Sequence, residues 1–348
     1  MLTMKNFTEE LRLGWNLGNT FDAPHGETTW GNPVTTKAMF EKLKELGFKT
    51  VRLPVSWNCH VGNYPKYTID IPWLDRIQQV VDWILECDMY CIINCHHDDR
   101  MFIPHYGEES DRAKAYLTGI WSQCCERFKD YDERLIFECM NEPRELRTPI
   151  EWHLTDGDPH CMELADCINQ YNQLFVDVVR ADPNLNNKNR FLLVPSYDAA
   201  PLHAIPDYYI FPTDPMNRTV QSIHAYTPYN LCLNYQSEVA VLDDESKKDI
   251  DFFMIGIHKK FDSKGIPVVI GETQIHDKKN PEVRREWCKY FFSLARQYGM
   301  MCCLWDQGQG SMSFLDRRNL KVHPDAECLL EGMLAGLEED VKGVLEYK

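Results

Sequence analysis

The sequence predicts a (β/α)8 barrel of the TIM type, folded as a single domain over residues 1–348, and three observations predict it. Eight short apolar runs recur along the chain, and most are separated by stretches with helical spacing. The runs are nearly continuous in apolar residues, as strands covered on both faces require. Polar residues gather at the C-terminal ends of these runs around the whole chain, which is where barrels of this kind carry their chemistry. A doubly wound sheet is the competing fold. It would collect such residues at one switch point, and no glycine-rich phosphate loop follows any early run.

The elements follow in order. RLGWNLGN (12–19) alternates apolar residues and ends in a tight turn, which reads as a first strand. Thr35 or Thr36 caps a helix to Leu46, and Gly47 ends it. TVRLP (50–54) is a β-branched strand whose arginine either faces a ligand or snorkels from the edge. Helical spacing over 73–86 leads to a third strand at 90–95, and a helix over 111–128 to a fourth, LIFECMNE (135–142), closed by Pro143. A long polar loop to His160 precedes a helix over 162–179, stopped near Asp182-Pro183. RFLLVP (190–195) and VQSIHAY (220–226) are the fifth and sixth strands, with only a weak helix between them. A helix over 250–261, the strand PVVIGE (267–272), a helix over 282–298, the strand MMCCLWD (300–306) and a closing helix over 326–337 complete the chain.

Composition limits what this chain can do. Formal net charge is −16, from 53 acidic and 37 basic residues, which excludes a nucleic-acid backbone as partner. No run of 18 apolar residues exists to cross a membrane. Nine Trp and 16 Tyr favour a site that stacks on sugar faces. Many of the fourteen cysteines lie in apolar runs without zinc-ribbon spacing, so reduced core thiols in a cytoplasmic or anaerobic setting are expected. Glu9, Glu10 and Arg12 occupy the place where a leader needs an apolar core. The chain therefore reads as cytoplasmic, or as secreted with its leader removed.

The strand ends present Arg52, His96 with His97, Asn141 with Glu142, His224 with Tyr226, Glu272, and Trp305 with Asp306. Two carboxylates in one partly dry cleft push their pKa values apart, so that one holds a proton while the other stays charged. Such a pair about 5 Å apart cleaves glycosidic bonds with retention. The alternative, that both are ion-pair partners at the sheet rim, stays open on sequence. His96-His97-Asp98-Asp99 suggests a metal site or a polar cluster orienting substrate; adjacent side chains diverge and no HExxH helix is present, which favours the cluster.

GWNLGNTFDA (14–23), ETTWGNP (27–33), VRLPVSW (51–57), NCHHD (94–98), FECMNEPR (137–144), HAYTPY (224–229) and VVIGE (268–272) together resemble glycoside hydrolase family 5, particularly its subfamily 4 endoglucanases. The resemblance spans nearly the whole chain. It implies a retaining, endo-acting β-1,4-glucanase with no metal or organic cofactor, acting as a monomer on a β-glucan polysaccharide or oligosaccharide such as cellulose, mixed-linkage glucan or xyloglucan. Carried over by motif, Glu142 matches the acid/base and Glu272 the nucleophile. Asn141 matches the residue that binds the sugar 2-hydroxyl, Arg52 and Tyr226 the groups that hold the nucleophile, and His96, His97 and His224 the histidines lining the site. Trp305 resembles the stacking platform, and Asn19, His25, Trp30 and Trp57 are further candidates for the cleft floor. A xyloglucanase or mannanase relative, or a barrel that binds carbohydrate without cleaving it, is the alternative. Two positions depart from the pattern: Thr273-Gln274-Ile275 follows the nucleophile where an aromatic residue and a glycine are usual, and Leu304 replaces an aromatic residue before Trp305.

Overall fold

The computed structural model describes residues 1–102 and 108–341. Eight parallel strands close a barrel in strict chain order. They are β1 (Leu13–Asn16), β2 (Thr50–Leu53), β3 (Tyr90–Asn94), β4 (Leu135–Glu138), β5 (Leu192–Pro195), β6 (Thr219–His224), β7 (Val268–Thr273) and β8 (Met300–Leu304). The eight predicted strands are all present. One end point differs: the fourth strand stops at Glu138, not at Glu142, and residues 139–142 leave the ladder as an irregular turn.

Helices Lys37–Glu45, Ile71–Glu86, Glu108–Arg127, Pro159–Ala181, Asp244–Lys260 and Pro281–Gln297 accompany the barrel strands. The Asp158 and Asn280 side chains cap two of them by accepting backbone N–H groups, and each is followed by a proline at the first helical position. Thr36 sits at the predicted start of the first helix, but its side chain makes no capping bond. Between β5 and β6 the only α-helix is Pro201–Ala204, which explains the weak periodicity there. A five-residue helix at Phe7–Leu11 and a small hairpin, Leu315–Asp316 with Lys321–Val322, were not legible in the sequence.

The two-residue period of the strands stacks the barrel interior in layers. The lower layer is apolar, with Ile92, Ile136, Leu193, Val220, Val269 and Met301, and Phe7 and Leu11 of the N-terminal helix plug it from below. Two residues further along the same strands the inward positions become polar: Asn94, Glu138 and Ser222, joined by Asn16 and Arg52, all buried. The switch from apolar to polar inside one barrel sets the floor of a pocket at the C-terminal rim. All fourteen cysteines are free thiols, and all but Cys59 and Cys87 are buried as packing groups.

Candidate active site

The pocket is organised around Arg52 on β2. Its side chain is fully buried, and all five of its N–H donors are used. Nε donates to Glu138 Oε2 at 2.7 Å; Nη1 donates to Glu272 Oε1 at 2.8 Å and to Asn16 Oδ1 at 3.0 Å. Nη2 donates to Asn141 Oδ1 at 2.8 Å and faces His224 Nε2 at 3.3 Å. Arg52 therefore faces the site and does not snorkel. The charges of Glu138 and Glu272 outweigh the cost of burying the guanidinium and hold its pKa above the ordinary value.

Glu138 is the residue sequence reading missed. It is fully buried, and besides Arg52 it accepts from Asn94 Nδ2 at 3.1 Å and Ser222 Oγ at 2.6 Å. A buried arginine in an apolar strand demands a carboxylate partner, and the lone acid inside LIFE was the signal. Asn16, Asn94 and Ser222 were missed for a similar reason, being single polar residues inside otherwise apolar runs.

Glu272 is 5% exposed, and each of its oxygens meets a donor: Arg52 on Oε1 and the Tyr226 hydroxyl on Oε2 at 2.9 Å. Burial and the Glu272 charge both push the Tyr226 phenol pKa up, so it stays a donor. His96 accepts from Asn94 Nδ2 at Nδ1 (3.2 Å), which leaves its Nε2–H turned toward Glu272 Oε1 at 3.9 Å. Burial, with the nearby His97 and Arg52, drives the His96 pKa well down, so the ring is neutral.

His224 joins the two glutamates. Its Nδ1 lies 2.8 Å from Glu142 Oε1 and 3.7 Å from Glu272 Oε1. The register shift after Ile223, which leaves Gly271 of β7 unpaired, sets His224 opposite Glu272. Arg52 can only donate, so the His224 Nε2 facing it is the acceptor and the ring proton sits on Nδ1, aimed at Glu142. Burial works to raise the Glu142 pKa, but His224, through its hydrogen bond and its electrostatics, and then Arg144 and His97 prevail and bring it below the ordinary value. One oxygen of Glu142 and one of Glu272 lie within 4.8 Å of each other and of a His224 nitrogen.

The remaining predicted residues divide. Asn141 is buried and accepts from Arg52 through Oδ1, so Nδ2 is what it has left to donate. Trp305 lies parallel to the His96 ring, 5.8 Å away at 5°. Gly18 makes room for that indole, since a Cβ there would fall 2.7 Å from the ring. His97 and Trp30 meet edge to face at 5.7 Å and line a neighbouring cavity of about 480 Å³ with Asp22 and Asp99. Asn19 lies on the adjoining loop at positive φ, its N–H on Asp22 Oδ2 at 3.0 Å. His25 lies on the same loop at positive φ, and its electrostatic influence falls on His60.

Two expectations are corrected. Trp57 is fully buried, with its indole N–H on the Asn94 carbonyl at 2.9 Å, and cannot line a cleft. Asp306 turns away from the pocket and orders the following loop by accepting from Trp15 Nε1, Gly308 N, Phe314 N and Leu315 N. Asp98 and Asp99 diverge, as expected of adjacent side chains: Asp98 accepts from the backbone of Trp57 and Asn58, while Asp99 faces Arg144 at 3.8 Å. Burial pushes Asp98 up to about 6, and Asp22 and Asp99 up to about 7. The unusual Thr273-Gln274-Ile275 segment is held by its own bonds, Thr273 Oγ1 to the Ala225 carbonyl at 2.7 Å and Gln274 Nε2 to the Trp305 carbonyl at 3.0 Å.

With this geometry in view, the cellulase family profile (glycosyl hydrolase family 5) matches residues 16–311. The chain belongs to glycosyl hydrolase family 5. Within the family it resembles the subfamily 4 broad-specificity endoglucanases, among them one from Ruminococcus champanellensis with bound cellotriose (38% identity, TM-score 0.88, 96% of this chain and 98% of that one). A family 5 lichenase from Caldicellulosiruptor sp. F32, in the form of a point mutant in complex with cellotetraose, is 40% identical with a TM-score of 0.90 over 96% of this chain and 95% of that one. Among curated relatives, the cellulase/esterase CelE of Acetivibrio thermocellus is 41% identical over 96% of this chain, which spans only 40% of that protein's length. Endoglucanase B of Clostridium cellulovorans is 37% identical over 92% of this chain and 73% of its own.

Proposed function

We propose that this family 5 barrel is an endo-acting β-1,4-glucanase that cleaves with retention, using Glu272 as nucleophile and Glu142 as acid/base. The observation that carries this reading is the pairing of the two glutamates, with oxygens within 4.8 Å and His224 between them. One oxygen of each glutamate within 4.8 Å of the other agrees with the roughly 5 Å of a double-displacement pair better than with the about 6.5–9.5 Å of an inverting one.

In the first step Glu272 attacks the anomeric carbon while Glu142 protonates the departing oxygen. Arg52 and Tyr226 hold both Glu272 oxygens, so the nucleophile is aimed before substrate arrives. Sugar entering the pocket displaces water around Glu142 and favours its protonated form. Once Glu272 has become an ester, its negative charge is gone. Glu142 is then a better-placed base, and it takes a proton from the water that releases the glycosyl group. Asn141 Nδ2 is the donor available to a sugar hydroxyl, and Trp305 offers an aromatic face.

The relatives with bound cello-oligosaccharides support a glucan as substrate class. Among the described residues no helix is long and apolar enough to cross a membrane. Roles for Trp30, His97, Asn19 and His25 in the extended cleft are part of the same proposal. The test is a panel of carboxymethylcellulose, mixed-linkage glucan, xyloglucan, mannan and xylan, with reducing-end release and product sizing. Short oligosaccharides from internal cuts in a glucan are expected. Product from mannan alone, or binding without product, would overturn the reading.

A further inference from the structure

Glu142 is gripped from two sides, and only one grip belongs to the pocket floor. His224 holds Oε1; on the other side Arg144 Nη1 lies 3.5 Å from Oε2, while donating at 2.8 Å to the Glu142 carbonyl. We propose that Arg144 is a positioning residue that fixes the Glu142 carboxyl at the pocket mouth and sets the charge it carries during turnover. This rests on Glu142 being the acid/base.

Arg144 is itself restrained by groups outside the glutamate pair. Its guanidinium lies 4.1 Å over the ring of Trp152, its Nε is 3.4 Å from Glu151, and its Nη1 is 3.8 Å from Asp99. The loop that carries Trp152 is anchored in turn. The Tyr197 hydroxyl accepts from Glu145 N at 2.9 Å and donates to the Ile150 carbonyl at 3.2 Å, and His203 Nε2 accepts from Leu154 N at 3.1 Å. A cation held in this way cannot follow Glu142 freely. At 3.5 Å it is beyond a strong bond and acts on the carboxyl as a fixed positive charge. Arg144 thus favours the ionised form of Glu142, both at rest and as the proton leaves in the first step.

The other charged or titratable groups acting on Glu142 are His224 and Tyr226 at the end of β6, Glu272 on β7, His97 and Asp99 after β3, and Asp198 after β5. Arg144 is the permanent cation among them on the Oε2 side. Removing it strips a positive neighbour from an acid that must be protonated to act, so the alkaline limb of the pH profile moves to higher pH.

The experiment compares pH profiles of kcat/KM for the parent, Arg144→Gln, Arg144→Lys and Glu142→Gln on 4-nitrophenyl β-cellobioside, and on the 2,4-dinitrophenyl analogue, whose leaving group needs no proton. The alkaline limb on the first substrate is expected to rise by about one pH unit in Arg144→Gln and by less than half of that in Arg144→Lys. On the dinitrophenyl substrate Arg144→Gln is expected to stay near the parent rate. If Arg144→Gln melts too low to assay, Trp152→Ala takes its place, because that ring is 58% exposed and its loss frees Arg144; the limb is again expected to rise. An unmoved limb, or an equal loss of rate on both substrates, overturns the proposal and leaves Arg144 as a prop of the turn. An alkaline limb that persists in Glu142→Gln rejects the acid/base assignment itself.

Discussion

Arg52 Nη2 faces His224 Nε2 at 3.3 Å, and this one contact sets the tautomer of the ring between the two glutamates. Because the guanidinium cannot accept, the imidazole proton goes to Nδ1 and is offered to Glu142 at 2.8 Å. In His224→Ala the donor disappears and burial is opposed only by Arg144 and His97, so the Glu142 pKa rises. The alkaline limb of activity should then move up by about one pH unit while kcat falls. A pH–rate profile that keeps its parental limb would contradict this.

Replacing Arg52 strips a fully buried carboxylate, Glu138, of its counter-ion. Arg52→Met is expected to cost about 3–5 kcal/mol, the range for breaking a buried pair, read by denaturant unfolding. Arg52→Met with Glu138→Met removes both charges and should recover most of that stability. Turnover should stay absent in the double variant, because Glu272 and Asn141 have still lost their donor. Recovery of activity along with stability would show that Arg52 serves the fold alone.

Gly271, next to Glu272, is a glycine for steric reasons. A Cβ there would sit 3.2 Å from His224 Nε2 and 3.4 Å from Arg52 Nε. Arg52 is bound through every donor and cannot yield, so the imidazole must shift. Gly271→Ala should cost about 1–3 kcal/mol of stability and lower kcat by about 100-fold, as small misplacements in a site do. A melting curve and a glucan assay on one preparation test both.

Away from the pocket, Asp214 pairs with Arg180 through two 2.8 Å contacts and accepts from Met216 N, Arg218 N and Thr219 Oγ1. Burial opposes its charge, but these partners win and hold its pKa down at about 2, against 3.8 when free. Its folded pKa is depressed, so its stabilisation is complete above pH 3.8 and is lost as pH falls through about 2. The shift corresponds to about 2 kcal/mol. Asp214→Asn should lower stability at neutral pH and flatten its fall between about pH 4 and 2; an unchanged acid slope would reject this.

How much of this was legible in the sequence follows from how each residue announces itself. Strands such as LLVP and VVIG are apolar because both faces are covered, so all eight could be read from pattern. The end of β4 could not. LIFECMNE is uniformly extended-looking, and only the closed barrel shows that the ladder stops at Glu138 and that Glu142 rides on the turn beyond it. Glu142, Glu272 and Arg52 were found because a charge at the end of an apolar run is conspicuous. Glu138 is hidden because it lies inside the apolar run, four residues before Glu142, and its partners Arg52, Asn94 and Ser222 come from other strands. Trp57 and Asp306 misled for the opposite reason: their residue types suit a cleft, but burial and hydrogen-bond partners from distant loops decide where a side chain points. Arg144 was visible only as part of FECMNEPR, since its neighbours Trp152 and Asp99 meet it through folding.

The central claim is that Glu142 and Glu272 act as a retaining pair, and the anomeric configuration of the first product tests it most directly. Proton nuclear magnetic resonance of a cello-oligosaccharide digest, recorded before mutarotation, should show the β-anomer appearing first and the α-anomer growing only later. Initial release of the α-anomer would contradict the double displacement and, with it, the roles assigned to both glutamates.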